Sequence, residues 1–139
     1  VELRRKVILV SQTVFLFDGT IEENFNTYYS YRDLSPLPRE EMIKYLSICC
    51  GDFPLDTRCE TMSGGERQRI FIAICLSFKP EVLMLDEPTS ALDQATANRF
   101  FNNIKSFCKE EGITLVVISH DRGLAEEFGE EHILLERKV

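Results

Sequence analysis

No cysteine pair spaced C-x-x-C occurs in this sequence, although it holds five cysteines, Cys49, Cys50, Cys59, Cys75 and Cys108. The odd count and scattered spacing argue against a disulfide framework or a zinc site, so reduced thiols are expected. The adjacent pair Cys49 and Cys50 reads as helix packing rather than redox chemistry. No apolar run approaches the roughly 20 residues of a membrane-spanning helix, and no signal-peptide pattern opens the chain. Basic residues are outnumbered: 16 Lys and Arg stand against 23 Asp and Glu, a net charge of −7. That balance argues against a broad nucleic-acid footprint or a polybasic membrane patch. An initiator methionine is missing as well, and Val1 stands just ahead of an apolar run, so a piece of something longer is expected.

What is present suits one domain with a core: 139 residues, 44% of them hydrophobic, which makes wholesale disorder unexpected. Three short unalternated apolar runs, Lys6 to Val10, Val82 to Leu85 and Ile113 to Ile118, read as strands buried on both faces, as in a parallel sheet. The second run delivers Asp86-Glu87, and Pro88 cannot join a ladder, so that strand should end where the acids begin. Helical patterns separate the strands. Arg39 to Cys50 places Met42, Ile43, Leu46, Cys49 and Cys50 on one face, with Pro38 suited to its first position. Ile70 to Phe78 is apolar all round. The segment after Asp93 presents Ala97, Phe100, Phe101, Ile104, Phe107 and Cys108 on one face and should stop at Gly112. A short helix is expected over Leu124 to Phe128, and Ile133, Leu134 and Leu135 read as a last strand. Residues 25–38, polar and tyrosine-rich, read as a connecting loop, and Asp52 to Thr61 as a second one. Alternating strands and helices imply an α/β fold with a parallel sheet and right-handed crossovers.

Two capping boxes stand out. Thr20 with Glu23 should open a short helical turn through Asn24, and Ser63 with Glu66 should open the buried helix. Gly64 and Gly65 in a helix's first turn cost stability and make sense where something approaches the backbone closely. Bare N–H groups there form an anion site, although spacing alone favours a plain cap with no ligand, because S-x-x-E pairs are common. Three strands end in Gln12, Asp86-Glu87 and His120. In open parallel sheets, ligands lie beyond the carboxyl ends of the strands, so these residues form a candidate site, while Asp-Glu-Pro by itself also describes a solvated turn. A carboxylate pair with a His and a Gln near an anion-binding helix end suits metal-assisted hydrolysis of a phosphate. One acid can hold Mg²⁺, largely through water; the other can orient or deprotonate the attacking water.

The run Ser63-Gly64-Gly65-Glu66-Arg67-Gln68-Arg69, then Leu85 to Asp93 (LDEPTSALD), then Ile118-Ser119-His120-Asp121 resembles the nucleotide-binding domain of ABC ATPases. Gln12, with Leu16-Phe17 and Thr20 to Asn24, resembles that family's Q-loop region. The resemblance implies a P-loop NTPase-like parallel sheet with an inserted α-helical subdomain: core strand and Q-loop over 1–20, helical subdomain over 21–78, catalytic core over 79–139. It implies ATP and Mg²⁺ as cofactors. Asp86 is then the Walker B acid assisting the metal, Glu87 the catalytic base, and His120 the switch histidine at the γ-phosphate. Gln12 contacts metal and water and couples to the membrane partner. Ser63, Gly64, Gly65 and Glu66 form the signature loop that caps ATP on an opposite subunit, and Asp93 ends the D-loop at the dimer interface. Implied partners are a second ABC ATPase subunit or domain and transmembrane transporter domains, at the cytoplasmic face of a membrane.

Met62 and Glu66 stand where the signature usually has Leu and Gln, Glu66 adding negative charge near a triphosphate. Ile74 stands where many members carry an Arg. No G-x-x-x-x-G-K-[ST] phosphate loop occurs anywhere, so the resemblance covers only the C-terminal half to two-thirds of a domain, and the chain alone is expected not to hydrolyse ATP. In that family the phosphate-loop strand lies between the switch-histidine strand and the next. Its lack is expected to make the sheet close by repacking or pair with another chain. The readings compared are a transporter ATPase, a soluble ABC ATPase without a membrane partner, and a catalytically null interaction module.

Overall fold

A computed structural model describes residues 2–135. Its elements are α1 (Glu2–Lys6), β1 (Val7–Val10), α2 (Ile21–Tyr31), α3 (Arg39–Ile48), a 3₁₀ turn (Cys59–Thr61), α4 (Gly64–Ser77), β2 (Val82–Asp86), α5 (Gln94–Glu111), β3 (Thr114–Ile118) and α6 (Arg122–Phe128). The three expected strands pair in parallel in the order β1-β2-β3. Crossovers made of helices are what parallel pairing demands.

Register and burial agree. Ile8, Leu83 and Leu115 form one transverse row and Val10, Leu85 and Val117 another; Ile8, Val10, Leu83 and Leu85 are buried and the β3 members partly so. The intervening row, Leu9, Met84 and Val116, faces the other way, with Leu9 58% and Val116 37% exposed. The expectation of strands buried on both faces is therefore corrected. An unalternated apolar run records the chemistry of both faces, and among the described residues only one face is covered. The covering helices are α4, packed on β1, and α5, packed on β3, with α3 wedged against both.

Four further expectations need correction. Residues 133–135 form no strand and are exposed, with Ile133 at 88%, so β3 has no partner on its outer edge among the described residues; a short apolar run has no ladder unless a neighbour offers one. That open edge is the place expected for the missing strand, and nothing among the described residues closes it by repacking. The expected loop from residue 25 is helical as far as Tyr31, because Phe25 and Tyr29 are buried at i, i+4 spacing behind the Thr20 cap. In α3 the buried face carries Tyr45 with Met42 and Leu46, whereas Ile43 is 54% exposed; the helix stops at Ile48, and Cys50 lies beyond it in the left-handed region at φ 55°. The segment 52–61 is also less irregular than its sequence reads: besides the 3₁₀ turn, Arg58 makes an antiparallel bridge with Thr20. By contrast α5 buries the six residues expected of it and ends on Gly112 at φ 68°. All five cysteines are free and buried, and burial pushes the Cys75 thiol up to about 12.

Candidate functional site

The site lies at the carboxyl edge of the sheet. β2 ends at Asp86, and Glu87 then turns sharply out of the ladder at φ 48°, a conformation that costs a non-glycine residue on the order of 1 kcal/mol. Two bonds hold it. The Glu87 N–H donates to the Ile118 carbonyl at 2.9 Å, and its Oε1 accepts the backbone N–H of His120 at 2.7 Å. The His120 Nε2 lies 3.6 Å from the same oxygen. The Glu87 side chain is only 13% exposed while that of His120 is 96% exposed, so a largely shielded acid stands next to an open imidazole. Pro88 and Thr89, both buried, close the turn behind it.

Gln12 stands at the same edge past the end of β1 and is exposed; among the described residues no hydrogen bond ties its side chain to the acids. Asp86 is partly exposed at the last position of β2. No three of His, Cys, Asp and Glu converge among the described residues to hold a metal. A lone strand-end carboxylate fits Mg²⁺ nonetheless, since this ion is usually held by one or two carboxylates with water and phosphate oxygens supplying the rest.

Helix α4 opens with the expected capping box. Ser63 Oγ accepts the Glu66 N–H at 3.3 Å and Glu66 Oε2 accepts the Ser63 N–H at 2.8 Å. The two glycines are not equivalent. A Cβ on Gly64 would meet nothing within 4 Å, whereas one on Gly65 would lie 2.9 Å from the Cβ of Ala91. The close approach that Gly65 permits is therefore made by this chain's own turn after Glu87; only Gly64 presents open backbone. Asp93, four residues after Thr89, caps α5: its carboxylate accepts the Thr96 N–H at 2.9 Å and the Thr96 hydroxyl at 2.7 Å. Those bonds, the hydroxyl one foremost, hold its carboxyl below the usual range.

Three polar residues that tie these parts together escaped the sequence reading. Asn24, fully buried, exchanges hydrogen bonds with the backbone of Phe17: its Oδ1 accepts the Phe17 N–H at 2.8 Å and its Nδ2 donates to the Phe17 carbonyl at 3.0 Å. Arg67 of α4 donates to the Cys59 carbonyl at 2.7 Å and to the Leu16 carbonyl at 3.3 Å. Gln68, 5% exposed, donates to the Asp86 carbonyl at 3.4 Å and the Ser11 carbonyl at 3.5 Å. Gln68, two residues before the apolar run that opens at Ile70, gave the one available signal, since a polar group that a helix buries needs partners.

The ABC transporter family profile matches residues 1–90. The chain is 39% identical over 122 residues to ABC transporter I family member 17 of Arabidopsis thaliana, covering 86% of this chain and 46% of that protein. It is 32% identical over 140 residues to the phosphonates import ATP-binding protein PhnC 2 of a Synechococcus species, covering 93% of this chain and 52% of that protein. Among solved structures, the ATP-binding cassette MJ0796, a dimer in a post-hydrolysis state bound to ADP and Pi, aligns at a TM-score of 0.78 with 29% identity, over 93% of this chain and 58% of that one. CbiO1 of Clostridium perfringens, part of the ABC transporter complex cbiONQ, aligns at 0.68 with 27% identity, over 86% and 49%. The architecture is that of an α/β ATP-binding cassette. The chain belongs to the ABC transporter family. It spans about half the length of the curated relatives it matches.

Proposed function

We propose that this chain is the catalytic-edge portion of the ATP-binding component of an ABC transporter. The observation that carries the reading is the Glu87–His120 pairing at the carboxyl edge of a parallel sheet, one residue beyond Asp86. A carboxylate held on one oxygen by a backbone N–H is oriented by that bond and keeps its other oxygen for a water molecule. Glu87 is then the general base and His120, open to solvent, reads the terminal phosphate. Asp86 would hold Mg²⁺, and Gln12 would add a contact to the metal and the attacking water. Bound Mg²⁺ would supply charge neutralisation for the transferring phosphoryl group.

Signature residues Ser63, Gly64, Gly65 and Glu66 serve the ATP of an opposite subunit. The capping box supports that reading: Ser63 Oγ accepts the Glu66 N–H and Glu66 Oε2 the Ser63 N–H, which leaves the Ser63 hydroxyl hydrogen to donate to an anion beside the open backbone N–H groups around Gly64. Asp93 acts by shaping the D-loop, since its carboxylate is committed to Thr96. The dimer partner, the transmembrane domains reached through the 21–78 helices, and a place at the cytoplasmic face of a membrane follow from the same reading.

Positioning supplies most of the catalysis in phosphoryl transfer, and this chain has no phosphate-loop lysine. The 139-residue chain alone should therefore neither hydrolyse ATP nor bind Mg-ATP up to millimolar concentration, with Asp86→Ala as control. In the longer protein, Glu87→Gln should abolish turnover while leaving Mg-ATP binding intact. Turnover by the chain alone that Glu87→Gln abolishes would overturn the division of labour; turnover surviving Glu87→Gln in the longer protein would overturn the role of Glu87.

A further inference from the structure

The parallel ladder between β1 and β2 ends at Val10 and Leu85. One step further in the same register stand Ser11 and Asp86, whose carbonyls lie beyond the last β1–β2 pair. Both accept from a single group, the Gln68 amide, at 3.5 and 3.4 Å. A carboxamide nitrogen carries two hydrogens at a fixed angle, so one side chain satisfies both carbonyls at once. No hydroxyl or carboxylate can. The amide is buried and belongs to α4, five residues beyond the helix cap Ser63. The two carbonyls are those of the residue preceding Gln12 and of Asp86 itself, directly before Glu87.

We propose that Gln68 is a positioning residue: it fastens the signature helix to both strand ends, so that Gln12, the Asp86-Glu87 pair and the Ser63–Gly65 loop keep one spacing. This rests on the phosphoryl-transfer reading of the site above. Both contacts are long, near the outer limit for a hydrogen bond, and nearly equal. One nitrogen thus serves both acceptors, and moving α4 away from either strand end takes that contact out of hydrogen-bond range. The separation of the strand ends and the placement of the signature helix are linked through one nitrogen.

The test uses the ¹⁵N-labelled 139-residue chain, its Gln68→Met variant (similar in volume, no donor) and its Gln68→Glu variant (similar in shape, its carboxylate an acceptor only). Two readouts are taken: heteronuclear NOE at the backbone amides of residues 11–13, and line broadening by Mn²⁺ as the metal probe. Expected is a loss of order at residues 11–13 in both variants, while the amides of Leu83 and Leu85 stay unchanged. In the wild type, Mn²⁺ should broaden Gln12 together with Asp86 and Glu87; in Gln68→Met the broadening at Gln12 should be lost and that at Asp86 kept. Residues 11–13 as ordered in both variants as in the wild type would overturn the proposal. If Mn²⁺ broadens nothing in the wild type, the metal reading of the site fails and the NOE result alone decides the role of Gln68. Should neither variant fold, wild-type cross-peaks from the Gln68 Nε2 protons to the amides following Ser11 and Asp86 decide it, and their absence overturns it.

Discussion

The Glu87 carboxylate and the His120 backbone N–H meet at 2.7 Å across the ends of β2 and β3, joining two residues 33 positions apart. The bond needs an acceptor oxygen and no charge. Glu87→Gln should therefore keep it and change stability by no more than about 0.5 kcal/mol. Glu87→Ala should release the His120 amide, which then exchanges faster with solvent, at a cost of about 1 kcal/mol. Amide exchange at His120 in both variants checks this; equal exchange rates would show that the acid does not hold the loop.

Gly64 and Gly65 separate two explanations of a glycine pair. Gly64→Ala meets open space, and removing a glycine from a helix favours folding by up to about 1 kcal/mol. Gly65→Ala drives a methyl to 2.9 Å from Ala91 and should destabilise by about 1–3 kcal/mol, the usual range for overpacking. Urea unfolding of the two variants reads the contrast. If both lose stability alike, the Gly65–Ala91 approach is not what the sequence preserves room for.

Much of this site was legible in the sequence because it depends on local order. Strand-ending acids, the Ser63–Glu66 box, the Asp86–Pro88 stop and the six-residue face of α5 are set by spacings of a few residues, and the structure places each as read. What was not legible depends on neighbours distant in the chain. Whether Leu9 is buried depends on what covers its side of the sheet, and Ile133 to Leu135 needs a ladder partner to be a strand. That Gly65 answers to Ala91, or that Gln68 serves Ser11 and Asp86, is visible only once α4 lies across the strand ends. The left-handed turn at Glu87 carried no glycine to announce it.

Asn24 fastens the segment after Gln12 to α2. Its side chain is fully buried and bonded to both backbone groups of Phe17 and to the Thr20 carbonyl. Asn24→Leu removes these partners and leaves the Phe17 N–H without an acceptor. A loss of about 3 kcal/mol is expected, since each buried polar group left unsatisfied costs about 1–3 kcal/mol. Asn24→Asp keeps the acceptor but sets a carboxyl oxygen against the Phe17 and Thr20 carbonyls in a buried site, so it should destabilise as well. Thermal unfolding compares them; an Asn24→Leu variant as stable as the wild type would show that the clasp is made elsewhere.

Glu60 sets an acid limit on the same region. Its carboxylate accepts the Gly19 N–H at 3.0 Å and pairs with Arg58. Those bonds, the Gly19 one first, lower its pKa from 4.5 to about 2. A carboxyl depressed by folding stabilises the fold above its unfolded value and loses that contribution as pH falls through the folded one. The window therefore runs from 4.5 down to about 2. Glu60→Gln can still accept from Gly19 but does not titrate, so across this window the variant should lose less stability than the wild type, while at neutral pH the wild type is the more stable. The side chain is exposed enough that salt should narrow the difference at neutral pH. Melting temperatures of both proteins, measured from neutral pH down through the window, give the comparison. Parallel curves would mean that the Glu60 charge contributes nothing, and that the Gly19 N–H is served as well by a neutral amide as by an acid.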